Sequence, residues 1–147
     1  MSQLAELADS IEMIVVGAVG LTSRALAEAA PEMDLTFPQW RALVVVGAGS
    51  DGVRVGRVAE QIGITSPATG RLLRRLQQRG LITLSTDDDD RRATVARMSP
   101  LGEQTRAAIV DYRKRALHSL AEGMPTDERG ELARAAAVIS DAFAPFT

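Results

Sequence analysis

Every basic residue between Val53 and Arg97 is an arginine: Arg54, Arg57, Arg71, Arg74, Arg75, Arg79, Arg91, Arg92 and Arg97. The guanidinium is planar and permanently charged, and it can hold a phosphate or the edge of a guanine with two parallel hydrogen bonds. Five acids, Glu60 and Asp87 to Asp90, stand against these nine, so the segment carries +4. The rest of the chain has 8 basic and 14 acidic residues, carries −6, and brings the total to −2. Charge alone describes a solvated surface. The spacing says more, because Arg71, Arg74 and Arg75 are separated by the steps that place side chains together on a helix.

Other chemistries are poorly provided for. The chain has no cysteine, which excludes disulfides, thiolate nucleophiles and zinc ribbons. Its one histidine, His118, argues against a histidine-rich metal site or a Ser-His-Asp triad. No paired-carboxylate, nucleophile–base or phosphate-loop pattern is present, and four aspartates on a hairpin tip are too exposed to suggest a metal site. The expectation is a protein that is not an enzyme, with no catalytic residue, metal or cofactor. A chain of 147 residues, 46 % apolar and 24 % charged, fits one folded domain. The longest nearly apolar run, Met13 to Leu21, is about half a membrane span, and no basic segment leads into an apolar one at the N-terminus. These features point to a soluble cytoplasmic protein with no membrane partner.

The arginines need elements to position them. Leu4, Leu7, Ile11, Ile14, Val15, Ala18, Leu21, Ala25 and Leu26 recur at three- and four-residue steps, predicting a long first helix that ends near Pro31. Thr36-Phe37-Pro38-Gln39 opens a second helix, with Thr36 and Gln39 as a capping box and Pro38 in the first turn. Two further helices follow. Leu81 to Ser85 then reads as a strand, Thr86 to Arg92 as a charged turn and Ala93 to Met98 as the returning strand. Ser99-Pro100 starts a helix with the face Leu101, Thr105, Ala108, Ile109, Tyr112, Ala116 and Leu120. A last helix carries Leu132, Ala135, Ala136, Ile139, Phe143 and Phe146.

Val58 to Leu72 fits a helix-turn-helix. Two helices packed at a steep angle need a small residue where they cross, here Ala59, and a sharp turn, here Gly63. Val58, Ile62, Ile64 and Leu72 form the shared core, Thr65 caps the second helix and Pro67 sits in its first turn. Thr69 falls where an aliphatic residue would be more comfortable. With Leu72, Leu73 and Leu76 turned inward, the outward stripe is Ser66, Pro67, Gly70, Arg71, Arg74 and Arg75. Small residues at its start let a helix sit deep in a DNA groove, and the arginines beyond reach bases or phosphates. The helix ends at Arg79-Gly80, with Gly80 as a left-handed cap. Followed by a strand, charged loop and strand, this is a winged helix. Ser66, Pro67, Gly70, Arg71 and Arg75 are assigned to the major groove, Arg91 and Arg92 to the wing, and Arg54, Arg57 and Arg74 to phosphates.

From Leu35 to Gly102 the chain resembles the MarR (multiple antibiotic resistance regulator) family of winged helix-turn-helix transcription regulators. The likeness rests on Leu35-Thr36-Phe37-Pro38-Gln39-Trp40-Arg41-Ala42-Leu43, Val58-Ala59-Glu60-Gln61-Ile62-Gly63-Ile64, Arg71 to Ile82, and Asp90-Arg91-Arg92-Ala93 leading to Met98-Ser99-Pro100-Leu101-Gly102. It implies an obligate homodimer with interlocked N- and C-terminal helices, two winged domains on a pseudo-palindromic site, and room for a small-molecule effector. The family's wing pattern is Asp-x-Arg-Asp-x-Arg. Asp87, Asp90 and Arg92 match it, but Asp89 stands where an arginine is usual. Either the aspartates point away from phosphate and brace Arg91 and Arg92, or this wing binds weakly.

The expected fold is mainly α with a small β-hairpin wing. Within a single domain over 1–147, residues 36–98 form the winged helix-turn-helix, and 1–35 with 99–147 supply dimerisation helices. The apolar faces of the first and last helices exceed what a small winged domain can cover, which is itself an argument for a two-fold partner. The expected function is a homodimeric regulator of transcription on double-stranded DNA, acting as a repressor. The alternative is an adaptor that turns the same basic face to an acidic protein. Trp40 reads as core or as a ligand contact, and His118 as solvated or dimer-facing. Met33, Phe37 and Tyr112 read as packing or a small cavity. Arg24, Arg41 and Arg113 read as surface ion-pair partners or anchors for an anionic effector.

Overall fold

The computed structural model describes residues 2–146, with the side chain of Phe146 outside what is described. Its elements are α1 (Gln3–Ala29), a 3-10 turn (Pro31–Met33), α2 (Phe37–Ala48), β1 (Val53–Arg54), α3 (Val55–Ile62), α4 (Ser66–Gln78), β2 (Ile82–Thr86), β3 (Thr94–Met98), α5 (Pro100–Glu122), α6 (Arg129–Phe143) and a terminal 3-10 turn (Ala144–Phe146). The helices follow the expected order. The wing differs: it is a three-stranded antiparallel sheet in the order β1-β3-β2, not a lone hairpin. Val53 pairs with Ala96 and Arg54 with Val95. A two-residue strand is too short to show an alternation of its own, so only the partner β3 reveals it.

The chain forms two compact units, Met1–Arg113 and Lys114–Thr147, and α5 runs from the first into the second. The first unit holds the core. Trp40, Leu43 and Val46 of α2 meet Val58 of α3, Leu73 and Leu76 of α4, Leu81, Ile82 and Ala96 of the sheet region, and Ile109 of α5. Trp40 is only 3 % exposed and is a packing residue. Met33, Phe37 and Tyr112 pack on the rim of this core, and the Tyr112 hydroxyl donates to the Glu28 carboxylate at 2.8 Å.

Local chemistry sets the helix ends. Thr36 Oγ1 accepts from the Gln39 N–H while Gln39 Oε1 accepts from the Thr36 N–H, so the capping box of α2 is complete. α3 closes through Gly63 at φ 73°, where any side chain would be strained, and the N–H groups of Gly63 and Ile64 both return to the Ala59 carbonyl. At the end of α4 the capping position is Arg79, with Gly80 the left-handed residue after it. The Leu81 N–H returns to the Leu76 carbonyl at 3.0 Å. Leu81 therefore belongs to the helix exit, and β2 begins one residue later than its hydrophobicity suggests.

Of α1 only Thr22, Ala25 and Leu26 are buried, so most of its apolar face, including Leu4, Leu7, Met13 and Ile14, is open in the single chain. In the second unit, Arg129 donates to the carbonyls of Glu122 and Met124, closing the turn after α5. No described residue of α6 is buried. His118 is exposed and lies 3.3 Å from Glu122. Among the described residues, no helix is long and apolar enough to cross a membrane.

Two hydrogen bonds of Ser99 tie the start of α5 to the exit of α4. Ser99 Oγ donates to the Gly80 carbonyl and accepts from the Gly102 N–H, which brings Gly102 flat against the Leu81 carbonyl. A methyl group there would overlap that carbonyl oxygen, and backbone cannot rotate away as a side chain can. Gly102→Ala is expected to lower unfolding free energy by about 1–3 kcal/mol or more in denaturant titration. Thermal stability equal to the parent's would contradict this packing.

Candidate nucleic-acid interface

The outward face of α4 depends on how firmly its inward face is held. Leu73 and Leu76 are fully buried, Leu72 is half-buried, and Val58 and Ala59 of α3 lie beneath them. Leu73 is thus a deeper member of the shared core than Ile62, Ile64 or Leu72. Thr69 is also fully buried, and its hydroxyl donates to the Thr65 carbonyl at 3.0 Å. A hydroxyl satisfied by its own helix leaves the Cγ2 methyl free to pack, so threonine serves at a position that asks for an aliphatic residue. Thr65 Oγ1 accepts from the Ala68 N–H, and Pro67 lies in the first turn.

This packing brings the expected stripe out together. Ser66, Pro67, Arg71, Arg74 and Arg75 are exposed and Gly70 is half-buried, all on the side of α4 away from the core. Beside the stripe lies an open cleft of 520 Å³ lined by Arg54, Arg57, Glu60, Ser66, Gly70, Arg74, Leu84, Arg92, Ala93 and Thr94, among others. Arg57, Arg74 and Arg92 thus share one hollow between the helix-turn-helix and the wing. Arg71 and Arg75 stand outside it on the exposed face of α4, and Arg91 stands outside it on the exposed part of the wing. Glu60 is the one acid lining the hollow.

The wing aspartates have a division of labour that the sequence leaves open. Asp87 accepts from Arg54 Nε at 2.6 Å and from the Asp89 N–H at 2.9 Å. Asp90 Oδ1 accepts from the Arg92 N–H, and its carbonyl from the Ala93 N–H. The aspartates therefore brace the wing, yet the side chain that they neutralise is Arg54, not Arg91 or Arg92. Arg54, assigned to phosphate from its position alone, sits at the end of β1 with its Nε turned to Asp87. Arg97, whose role the sequence did not suggest, donates to Ser85 Oγ at 2.7 Å across the β2–β3 pair. Nothing in the local sequence signals either contact, because each joins residues brought together only by the sheet.

The Asp87 carboxyl is held below the usual carboxylate range, first by the Asp89 N–H and then by the Arg54 side chain. A depressed folded-state value means that its stabilisation of the wing is present at neutral pH and is lost as pH falls through that lowered value. Amide exchange of residues 86–94 tests this. Protection in the parent should fall on acidification below the ordinary carboxylate range, while D87N should be less protected at pH 7 and lose less on acidification. Equal protection of the two proteins at pH 7 would remove Asp87 from the bracing.

Comparison with known proteins agrees with this architecture. Residues 33–93 match the model of the MarR family. The structure of RV1404 from Mycobacterium tuberculosis has a TM-score of 0.83 at 22 % identity, over 97 % of this chain and 95 % of that one. A MarR family protein from Bacillus stearothermophilus gives 0.76 at 19 % identity, over 97 % and 99 % of the two chains. FabT of Streptococcus pneumoniae, solved in complex with DNA, gives 0.76 at 14 % identity, over 99 % and 100 %. No curated protein matches the chain by sequence. The segment 33–93, which holds the helix-turn-helix and the first part of the wing, is thus similar to the MarR family, and the fold around it is shared with these solved structures.

Proposed function

We propose that this protein binds duplex DNA as a sequence-specific homodimer and regulates transcription, acting as a repressor on a pseudo-palindromic operator. The observation that carries this reading is the single face on which Ser66, Pro67, Gly70, Arg71 and Arg75 adjoin the hollow holding Arg57, Arg74 and Arg92. Ser66, Pro67 and Gly70 offer little bulk, so α4 enters the major groove at its N-terminal end, and Arg71 and Arg75 reach base edges. Arg57 and Arg74 take phosphates, and Arg92, with Arg91 beside it on the wing, follows the backbone toward the narrow, electronegative minor groove. Arg54 contributes mainly by holding Asp87, with a part-exposed edge left for phosphate. That FabT, a protein of the same fold, is solved in complex with DNA supports the choice of DNA as partner.

Dimerisation is supported by the exposed apolar residues of α1, and of the second unit taken by itself, which a partner chain would cover. We assign 1–35 and 99–147 to that role and 36–98 to DNA. Two-fold symmetry would set the two α4 helices about 34–36 Å apart, one turn of B-DNA. We assign a small-molecule effector to the 430 Å³ cleft beside the α1–α2 junction, whose lining is Ser23, Leu26, Ala27, Pro31, Asp34, Leu35 and Phe37. Arg24, Arg41 and Arg113 do not line it.

Selection from random duplex DNA should recover an inverted repeat. Arg71→Ala should then cost about 1–3 kcal/mol of specific binding in a titration of the recovered duplex, as expected for one bidentate base contact. Arg92→Ala should weaken specific and random duplexes alike and reduce the slope of log K against log salt by about one contact. A parent protein whose affinity for duplex DNA ignores salt would point instead to an adaptor for an acidic protein.

A further inference from the structure

The nine central arginines do not all face a groove. Arg79 caps the C-terminal end of α4, and its Nη1 donates to the carbonyls of Met33 at 2.6 Å and Asp34 at 3.1 Å, with Gln39 Oε1 at 3.4 Å. Two N–H bonds on one nitrogen thus serve three acceptors clustered at the junction between α1 and α2. That junction is unusual in itself. Asp34 has φ 40° and ψ 52°, left-handed backbone that few residues other than glycine adopt, and its N–H returns to the Pro31 carbonyl. Gln39 is 4 % exposed, and the same Oε1 accepts the Thr36 N–H that completes the α2 cap. A conformation of this kind persists where the surroundings over-determine it. Here the guanidinium supplies the surroundings.

We infer that Arg79 is a positioning residue, which ties the exit of α4 to the α1–α2 junction and so fixes the direction of α4 relative to the C-terminal end of α1. Resting on the DNA-binding reading above, the consequence is that Arg79 sets how strictly a dimer measures the distance between half-sites. Its Nη1 is occupied by acceptors of the protein itself, and we assign its contribution to affinity to geometry, with the salt slope checking whether the exposed remainder of the guanidinium meets phosphate. The bond joins residues 45 and 46 positions apart, and an arginine suits it because the fork reaches backbone carbonyls while the charge stays partly in water.

The test uses the full-length chain and the variant R79K, which keeps the charge but is one bond shorter, with R79A beside it. The first readout needs no DNA. Amide exchange over residues 32–36 should quicken about threefold or more in both variants, while Leu73 and Leu76 of α4 exchange as in the parent. The second readout uses the duplex recovered by selection on the parent, with its half-sites moved together or apart by one base pair. The parent should discriminate among these spacings, and R79K should lose about threefold or more of that discrimination at an unchanged salt slope. Parent-like exchange over 32–36 in both variants overturns the inference, and quickened exchange with parent-like spacing discrimination overturns its consequence for half-site spacing. A reduced salt slope in R79A with full retention by R79K would make Arg79 a phosphate contact and overturn it too. If selection recovers no duplex, the DNA-binding reading fails by itself, and the exchange measurement alone decides whether Arg79 holds the junction.

Discussion

The packing of α4 by one face only is the constraint on which the rest depends. A helix of thirteen residues with three arginines is stable here because Leu73 and Leu76 are wholly removed from water and Thr69 satisfies its hydroxyl within its own turn. Everything on the opposite side can then be small, polar or charged at little cost to folding. The Gly63 turn sets the angle between α3 and α4, and Ala59 lets the two helices come close. A bulkier residue at Ala59, or one that resists the left-handed backbone at Gly63, would move the arginine stripe as a body, because the helix has no second anchor along its middle.

Its ends are anchored by polar contacts instead. At the N-terminal end Thr65 caps the first turn; at the C-terminal end the Leu81 N–H and the Ser99 hydroxyl draw α4, the start of the wing and the start of α5 together. The wing adds the Arg54–Asp87 pair, which is half open to solvent on the arginine side. Such a pair contributes little free energy. Its effect is geometric: it joins β1 to the loop that presents Arg91 and Arg92, and it cancels one negative charge where a phosphate would approach. Two of the four adjacent aspartates are thus engaged within the wing, Asp87 by Arg54 and the Asp89 N–H, and Asp90 by the Arg92 N–H, while Asp88 and Asp89 are exposed.

Much of this was legible in the residues. The capping box at Thr36 and Gln39, the turn at Gly63, the buried Trp40 and the outward row from Ser66 to Arg75 all follow from spacings of three or four residues, which a helix enforces regardless of what surrounds it. The hairpin followed from alternation, though Leu81 was drawn into the exit turn of α4. What escaped was long-range. β1 is two residues long and exists only as a partner of β3, and the contacts of Arg54 with Asp87 and of Arg79 with Met33 and Asp34 join residues more than thirty positions apart.

The sequence by itself therefore determined which helices form and that a hairpin follows α4, which face of α4 is apolar and that the central segment carries a surplus of arginine. Only the tertiary structure decided what each guanidinium does. Arg71 and Arg75 stand exposed on the outer face of α4, Arg54 is turned to the wing, and Arg79 is bound to the backbone of a junction. The reason is that helical periodicity is a local property, fixed by hydrogen bonds four residues apart. The partner of a long, flexible cation is set by whichever acceptors the finished fold brings within reach.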